Sequence, residues 1–370
     1  PTLRQAADEW VAPGITLYEN DMRVEGRQLT AVMASLPSDR SFASVDTAIA
    51  HIRGPRLPDS TDIVWQQAML DMLFEYPIQS AQSRFALAPI LGRLGLRVHT
   101  VLEFAHPDGT IRAFDYRGTQ GIIQLDPTRG QTASRFFGIG VDHILTGLEH
   151  ALFLAVLVIP VRRLRPLGSI VIAFAVAHTV TLTAASLGFT PAVIWFPALI
   201  DTLIAVSIVW LAFENALGAA PRRRWLVAFV FGLVHGYAFS FVLRDTLQFA
   251  GPHAVLSLVA FNLGLATAQL LVVTGLAMVA WALFRVVLPA RAGTILLSGL
   301  VAHTAWHWML TRGGELWMYD LRAGLAALGQ QSLSAAARWG TLLSIVLVLI
   351  WIMSRVFPRL EHGEREDGYA

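Results

Sequence analysis

FGIGVDHILTGLEHALFLAVLVI, residues 137–159, decides how this chain is read. The stretch is long and apolar enough to cross a bilayer as a helix. Yet it carries Asp142, His143, Glu149 and His150 within nine positions. Ionisable groups at membrane depth are costly and point to function by default. His143 and His150 are seven apart, so a helix turns them nearly the same way, with Thr146 between them. Asp142 and Glu149 repeat that spacing on an adjacent face. Four such groups are hard to place toward lipid. The structural alternative is that they serve only interhelical hydrogen bonding.

Outward from this stretch, the composition divides the chain. Of 370 residues, 55% are hydrophobic and 15% charged, with a mean hydropathy of +0.54. Soluble domains carry about 25% charged residues, so a water-soluble enzyme and a disordered chain are both disfavoured. Residues 1–135 have ordinary soluble composition. Beyond them lie apolar segments at 137–160, 166–188, 192–217, 224–243, 254–285, 292–311 and 336–357. The fifth is long enough to tilt. The expected fold is an all-α polytopic membrane bundle of about seven transmembrane helices, preceded by a small β-rich, sandwich-like domain. The expected domains are residues 1–130, extracytoplasmic; 131–358, the bundle; and 359–370, a charged cytoplasmic tail.

Within the N-terminal region, residues 14–25 and 28–36 alternate as strands do, and 62–75 reads as a short helix. The runs at 97–105, 110–116 and 121–125 read as an antiparallel meander whose first turn is HPDG at 106–109. His51, His99 and His106 read as surface or strand histidines. Residues 127–136 read as a polar linker, and 311–335, with GELWMYDL, as an interfacial stretch.

The net charge is +2, every basic residue is Arg, and there is no Cys. Disulfides, thiolate metal sites and Cys nucleophiles are therefore excluded. The arginines follow topology. With the N-terminal domain outside, the inner side holds Arg162, Arg163, Arg165, Arg222, Arg223, Arg224, Arg285, Arg291, Arg355 and Arg359. The outer loops hold Arg244, Arg312 and Arg322, with Arg338 near the start of the last segment. Ten against four satisfies the positive-inside rule. The clusters are thus a topology signal, and nucleic acid is not an expected partner. The expected location is a bacterial-type inner membrane, with the C-terminus cytoplasmic and an export signal ahead of Pro1. The lipid bilayer and a metal ion are the expected partners, with a possible protein partner at the extracytoplasmic domain.

Further polar groups fall inside the apolar segments. His178 lies in AVAHTVTLTAAS with Thr181 three residues on. Asp201 sits about mid-depth in the third segment. Glu214 and Asn215 lie near that segment's inner end, where Glu214 alternatively pairs with the Arg222–Arg224 cluster. His235 is flanked by Gly232 and Gly236, which admit a close neighbouring helix. Asn262 and Gln269 read as packing groups or secondary ligands. His303 and His307 are one turn apart, a spacing that suits one metal ion. Both are expected to point into the bundle toward His143 or His178. The alternative makes them anchors in an aromatic belt with Trp306 and Trp308. Imidazoles with carboxylates and no thiolate suit Zn, Ni, Co, Cu(II) or Fe, the carboxylates also serving to orient ligating histidines. The candidate metal residues are His143, Glu149, His150, His178, His235, His303 and His307, with Asp142 and Asp201 secondary. A proton relay or a haem-binding bundle is the alternative use of these histidines.

Four of these stretches carry a family resemblance: residues 137–159, AFAVAHTVTLTAASLG at 173–188, IDTLIAVSIVWLAFEN at 200–215 and FGLVHGYAFS at 231–240. With FNLGLATAQL at 261–270, the chain over roughly 137–285 resembles the HupE/UreJ family of membrane proteins. Members are regarded as nickel or cobalt permeases, or as accessory proteins of hydrogenases and ureases. The resemblance implies that His143, Glu149, His150, His178 and His235 are metal-associated. Glu149 stands where the family usually has Asp. The N-terminal domain and HTAWHW element resemble the family's longer branch.

A second likeness is to the seven-helix hydrolases related to alkaline ceramidases and adiponectin receptors. It implies a zinc site, with an open water position, drawn from His178, Ser186, Asp201, His303 and His307. Three readings follow. The first is a divalent-metal permease for Ni, Co or Zn, not an enzyme. The second is an intramembrane zinc-dependent hydrolase of a lipid or amide. The third is a non-catalytic subunit of a larger complex.

Overall fold

The computed structural model describes residues 2–36, 38–58, 60–61, 68–90, 98–118, 120–161, 164–191, 193–218, 224–321 and 333–362. They form two compact units. One comprises Pro1–Arg129 with Asp245–Ala254, the other Gly130–Arg244 with Val255–Ala370.

In the first unit, helix α1 (Thr2–Ala6) precedes strands β1 (Ile15–Glu19), β2 (Met22–Arg23) and β3 (Gln28–Ser35). Helix α2 (Val45–Ile52) follows, capped by the Ser44 hydroxyl, which accepts the Thr47 amide. Then come β4 (Met69–Glu75), β5 (Phe85–Pro89), β6 (His99–Ala105), β7 (Ile111–Arg117) and β8 (Ile123–Gln124). Asn20 and Asp21 make the β1–β2 turn at positive φ, which short polar side chains tolerate. One sheet has the order β2-β1-β5-β8, and β3-β4 and β6-β7 form two-stranded sheets.

Three expectations change. Residues 69–75 form a strand rather than the end of a helix, because they pair antiparallel with β3; residues 62–67 lie outside the described residues. The run at 121–125 does not extend a meander, because β8 pairs with β5 instead of β7. The supposed linker at 127–136 is helical from Arg129. Residues 245–254, between two apolar segments, belong to this unit. Phe249 packs with Phe85, Phe114, Tyr116, Ile123 and Leu125, and the Gln248 side chain donates to the Asp115 carbonyl at 2.8 Å.

The second unit is helical: α3 (Arg129–Thr146), α4 (Leu148–Val158), α5 (Leu164–Ser186), α6 (Phe196–Leu217), α7 (Arg224–Ala238), the start of α8 (Ser240–Leu247), α9 (Ala254–Val286), α10 (Ala290–Trp317) and α11 (Leu333–His362). Four stretches are long and apolar enough to cross a membrane: Leu167–Ser186, Phe196–Leu217, Ala254–Val286 and Trp339–Phe357. The bent pairs α3–α4 (67°) and α7–α8 (55°) raise that to as many as six if each is one span. The sixth expected segment forms the 28-residue α10, which falls short of the apolarity of a span; His303, His307, Arg312 and Glu315 lower it. Residues 311–317 continue α10 instead of forming an interfacial loop, and 322–332 lie outside the described residues.

Small residues set the seams. A Cβ on Gly140 would strike the Phe261 carbonyl, and one on Gly264 the Phe137 carbonyl, so α3 and α9 meet backbone to backbone. Gly232 and Gly236 do the same for α7 against α5, opposite Phe174 and His178. Such seams suit membrane interiors, where packing replaces the hydrophobic drive. The core is built on Phe153, Leu157, Phe174, Ile204, Ile208 and Leu211.

Candidate metal centre

The first apolar segment is not one helix. At Gly147 the backbone turns extended (φ −75°, ψ 95°), and its carbonyl accepts the amides of His150 (3.0 Å) and Ala151 (3.2 Å) as the cap of α4. On a straight helix, seven residues would separate His143 and His150 by about 10.5 Å along the axis. The break closes that gap, leaving the ring centroids 4.6 Å apart. His178 comes in from α5, 6.0 Å from His143 and 5.6 Å from His150 between centroids.

One nitrogen from each of His143, His150 and His178 lies within 4.8 Å of the others. This is the group of three metal-ligating side chains found among the described residues. His150 and His178 are buried and His143 half-buried. His235 stands beside them, its ring 5.7 Å from His150 and 4.5 Å from Phe153. Its Nδ1 is held by the Phe231 carbonyl at 2.9 Å. Phe239 and Phe261 close over His143, with centroids at 4.0 and 6.2 Å.

The ring nitrogens are unsatisfied. Nε2 of His143, both nitrogens of His150 and His178, and Nε2 of His235 have no hydrogen-bond partner among the described residues. A neutral imidazole bears one N–H and one lone pair, and a buried polar group left unpaired costs about 1–3 kcal/mol. A divalent ion would take one of these nitrogens from each ring, leaving the second nitrogens of His150 and His178 as N–H donors. Imidazole suits Ni, Co and Zn, and zinc takes such ligands at about 2.0–2.1 Å, so the donor set fits a borderline metal.

The other sequence candidates lie elsewhere. Asp142 is exposed and Glu149 half-buried, and neither belongs to the three-ligand group. Asp201 pairs with Arg312 at 2.5 Å, within electrostatic reach of Glu149 and Glu315. Ser186 donates to the Leu182 carbonyl at 2.8 Å. His303 and His307 are exposed, with centroids 4.7 Å apart. The expectation that they turn toward His143 or His178 is not met. At about 100° per residue they lie opposite the face that packs Val301 and Ala305 into the core. The residues of the hydrolase reading are thus not gathered around one ion. Asn215 bonds the Val156 carbonyl at 2.8 Å and accepts from Arg224.

In the first unit, His51 sits between two carboxylates, 3.3 Å from Asp71 and 3.5 Å from Asp39, with the Ser35 hydroxyl at 3.0 Å. Hydrogen bonds from Ser41 hold Asp39 below the ordinary carboxylate pKa. His99 pairs with Asp115, and His106 lies 3.7 Å from Asp108.

A helical membrane-type bundle with a buried, unsatisfied histidine cluster is therefore the class that fold and site define. The family model described as HupE / UreJ protein matches residues 119–312, more than half of the chain. The chain belongs to the HupE/UreJ family. Among curated proteins and solved structures, none matches it.

Proposed function

We propose that this protein is a membrane permease for a divalent transition metal ion, nickel or cobalt before zinc, with His143, His150 and His178 as its transit site. One observation carries the reading: three imidazoles from α3, α4 and α5 converge, with Nε2 of His143 and both nitrogens of His150 and His178 unpartnered among the described residues. The family's association with nickel and cobalt transport supports the choice of ion. The three candidate ligands are imidazoles with no carboxylate among them, a donor set that suits a borderline divalent ion. Glu149 lies beside His150 in the first turn of α4. His235 backs the cluster and offers Nε2.

The reading includes seven crossings, with α3–α4 and α7–α8 as broken spans and α10 as the sixth. Residues 245–254 belong to the same compact unit as residues 1–129. The two therefore share one side of the membrane, which requires an even number of crossings between them. Four segments, α3–α4, α5, α6 and α7–α8, supply it. The Arg bias puts that side outside.

Uptake into liposomes holding the purified protein tests the reading. Ni or Co accumulates with the native chain, and His150→Ala abolishes uptake while the thermal transition of the bundle persists. If none of Ni, Co and Zn crosses, the permease reading is wrong.

A further inference from the structure

We propose that His303 and His307 form half of a second divalent-metal site, which the same pair from a second copy of this chain completes along the outward face of α10. This rests on α10 crossing the membrane, not on which ion the buried cluster carries.

The pair is laid out as a ligand set. The two rings are one turn apart on one helix, with centroids 4.7 Å apart and planes at 86°. Both are exposed. They face away from the core, so the buried cluster cannot share their ion. Two imidazoles leave a four-coordinate ion half bound. In contact with hydrocarbon, such residues would also be costly.

The surroundings say what covers them. Leu296, Leu300, His303, His307, Leu310 and Gly314 recur at alternating steps of four and three along α10. That is the spacing of a seam between two helices. The leucines on it are 61%, 66% and 55% exposed. A Cβ on Gly299 or Gly314 would meet nothing within 4 Å, so the backbone is open to close approach there. The seam runs about 27 Å, close to the thickness of the hydrocarbon core, and the histidines sit at its middle.

A second copy is the occupant whose chemistry matches. A two-fold axis along the membrane normal brings identical surfaces together and sets both histidine pairs at one depth. Four imidazoles, all supplied by the chain itself, then complete a four-ligand set. A different partner would have to carry its own ligands at that depth.

The absence of Cys from these 370 residues makes the seam directly testable. Leu300→Cys is expected to form a disulfide-linked dimer in membranes on oxidation, more so with Zn or Ni present. Val255→Cys, exposed on α9, is the control and is expected to stay monomeric. Metal analysis of the purified protein supplies the second readout. His303→Ala with His307→Ala should lose one ion per two chains and the metal-dependent dimer, while liposome uptake persists. His150→Ala should do the reverse, so failure of the permease reading is separately visible. A Leu300→Cys protein that does not cross-link overturns the proposal. So does a double variant with unchanged metal content, or an ion held at this pair by a monomer.

Discussion

Replacing Gly232 by alanine probes the seam that holds His178 beside the other two histidines. An alanine Cβ there would lie 2.7 Å from the Phe174 carbonyl oxygen and 2.9 Å from the Ala177 Cβ. Ordinary contact begins at 3.4 Å, so the shortfalls are 0.7 and 0.5 Å. Both obstacles belong to α5 itself, one being backbone, so no side-chain rotation relieves them. The helices must part. Overpacking of this kind costs about 1–3 kcal/mol, against which alanine returns at most about 1 kcal/mol of helix propensity. Gly275→Ala on α9 is the matched control, since a Cβ there meets nothing within 4 Å. It keeps the propensity gain without the clash. The thermal transition of detergent-solubilised protein should therefore fall for Gly232→Ala relative to Gly275→Ala, by about 2–4 °C per kcal/mol. Ni or Co binding should weaken in the first and hold in the second, because α5 carries His178 away from His150. Equal melting and equal metal affinity for the two variants would refute the seam as the positioning device.

Two further outcomes are expected. Reporter fusions at residue 220 should read cytoplasm and those at residue 320 the outside, and the reverse at both positions would overturn the seven-crossing topology. Glu19 is buried and accepts from the Ser83 hydroxyl and the amides of Gln79 and Ser80, which hold its pKa below the ordinary value. Its contribution to stability is present above the unfolded carboxyl pKa of about 4.3. It is lost as pH falls through the lower folded value. Resistance of the full-length chain to limited proteolysis at residues 76–84 should drop over that range, and Glu19→Gln should lack the dependence. Glu19→Gln resistance that falls in parallel with the native chain would show that other groups carry the transition.

The parts of this molecule legible in its sequence are those set by composition and close spacing. The apolar segments located the helices, and Gly232 and Gly236 announced a close neighbour, which proved to be α5. What escaped depends on distant partners. Residues 69–75 hold two charged residues among apolar ones and read as helical until β3, over thirty residues away, supplies their hydrogen bonds. Residues 245–254 look like an ordinary loop between spans, and nothing local says that Phe249 completes the core of the N-terminal unit. The Asp201–Arg312 pair joins residues 111 apart. For His303 and His307, ligand spacing was visible but facing was not. A helix shows its side only through what packs on the other, and here that is Val301 and Ala305 against α6.

Gly147 carries the strongest link from one residue to the function. Its dihedral angles are open to any residue, so the glycine is not there for left-handed backbone. Space explains it: a Cβ at 147 would lie 2.8 Å from both the His143 carbonyl oxygen and Nδ1 of His150. Alanine would therefore push directly on a ligand ring, and it also favours continuing the helix by about 0.8–1.0 kcal/mol over glycine. Both effects act against the 67° bend. Straightening would carry His143 and His150 back toward the separation of about 10.5 Å that seven helical residues impose, too far for one ion. Phe153 and Leu157 anchor α4 in the core, so Gly147→Ala should keep its thermal transition within about 1–3 kcal/mol of native while losing at least tenfold in metal affinity and most of its uptake. Gly138→Ala, on the same helix with nothing within 4 Å of the added carbon, should leave both readouts intact. If Gly147→Ala binds and transports metal as the native chain does, the two histidines do not need the break to share an ion, and the centre is not built as described.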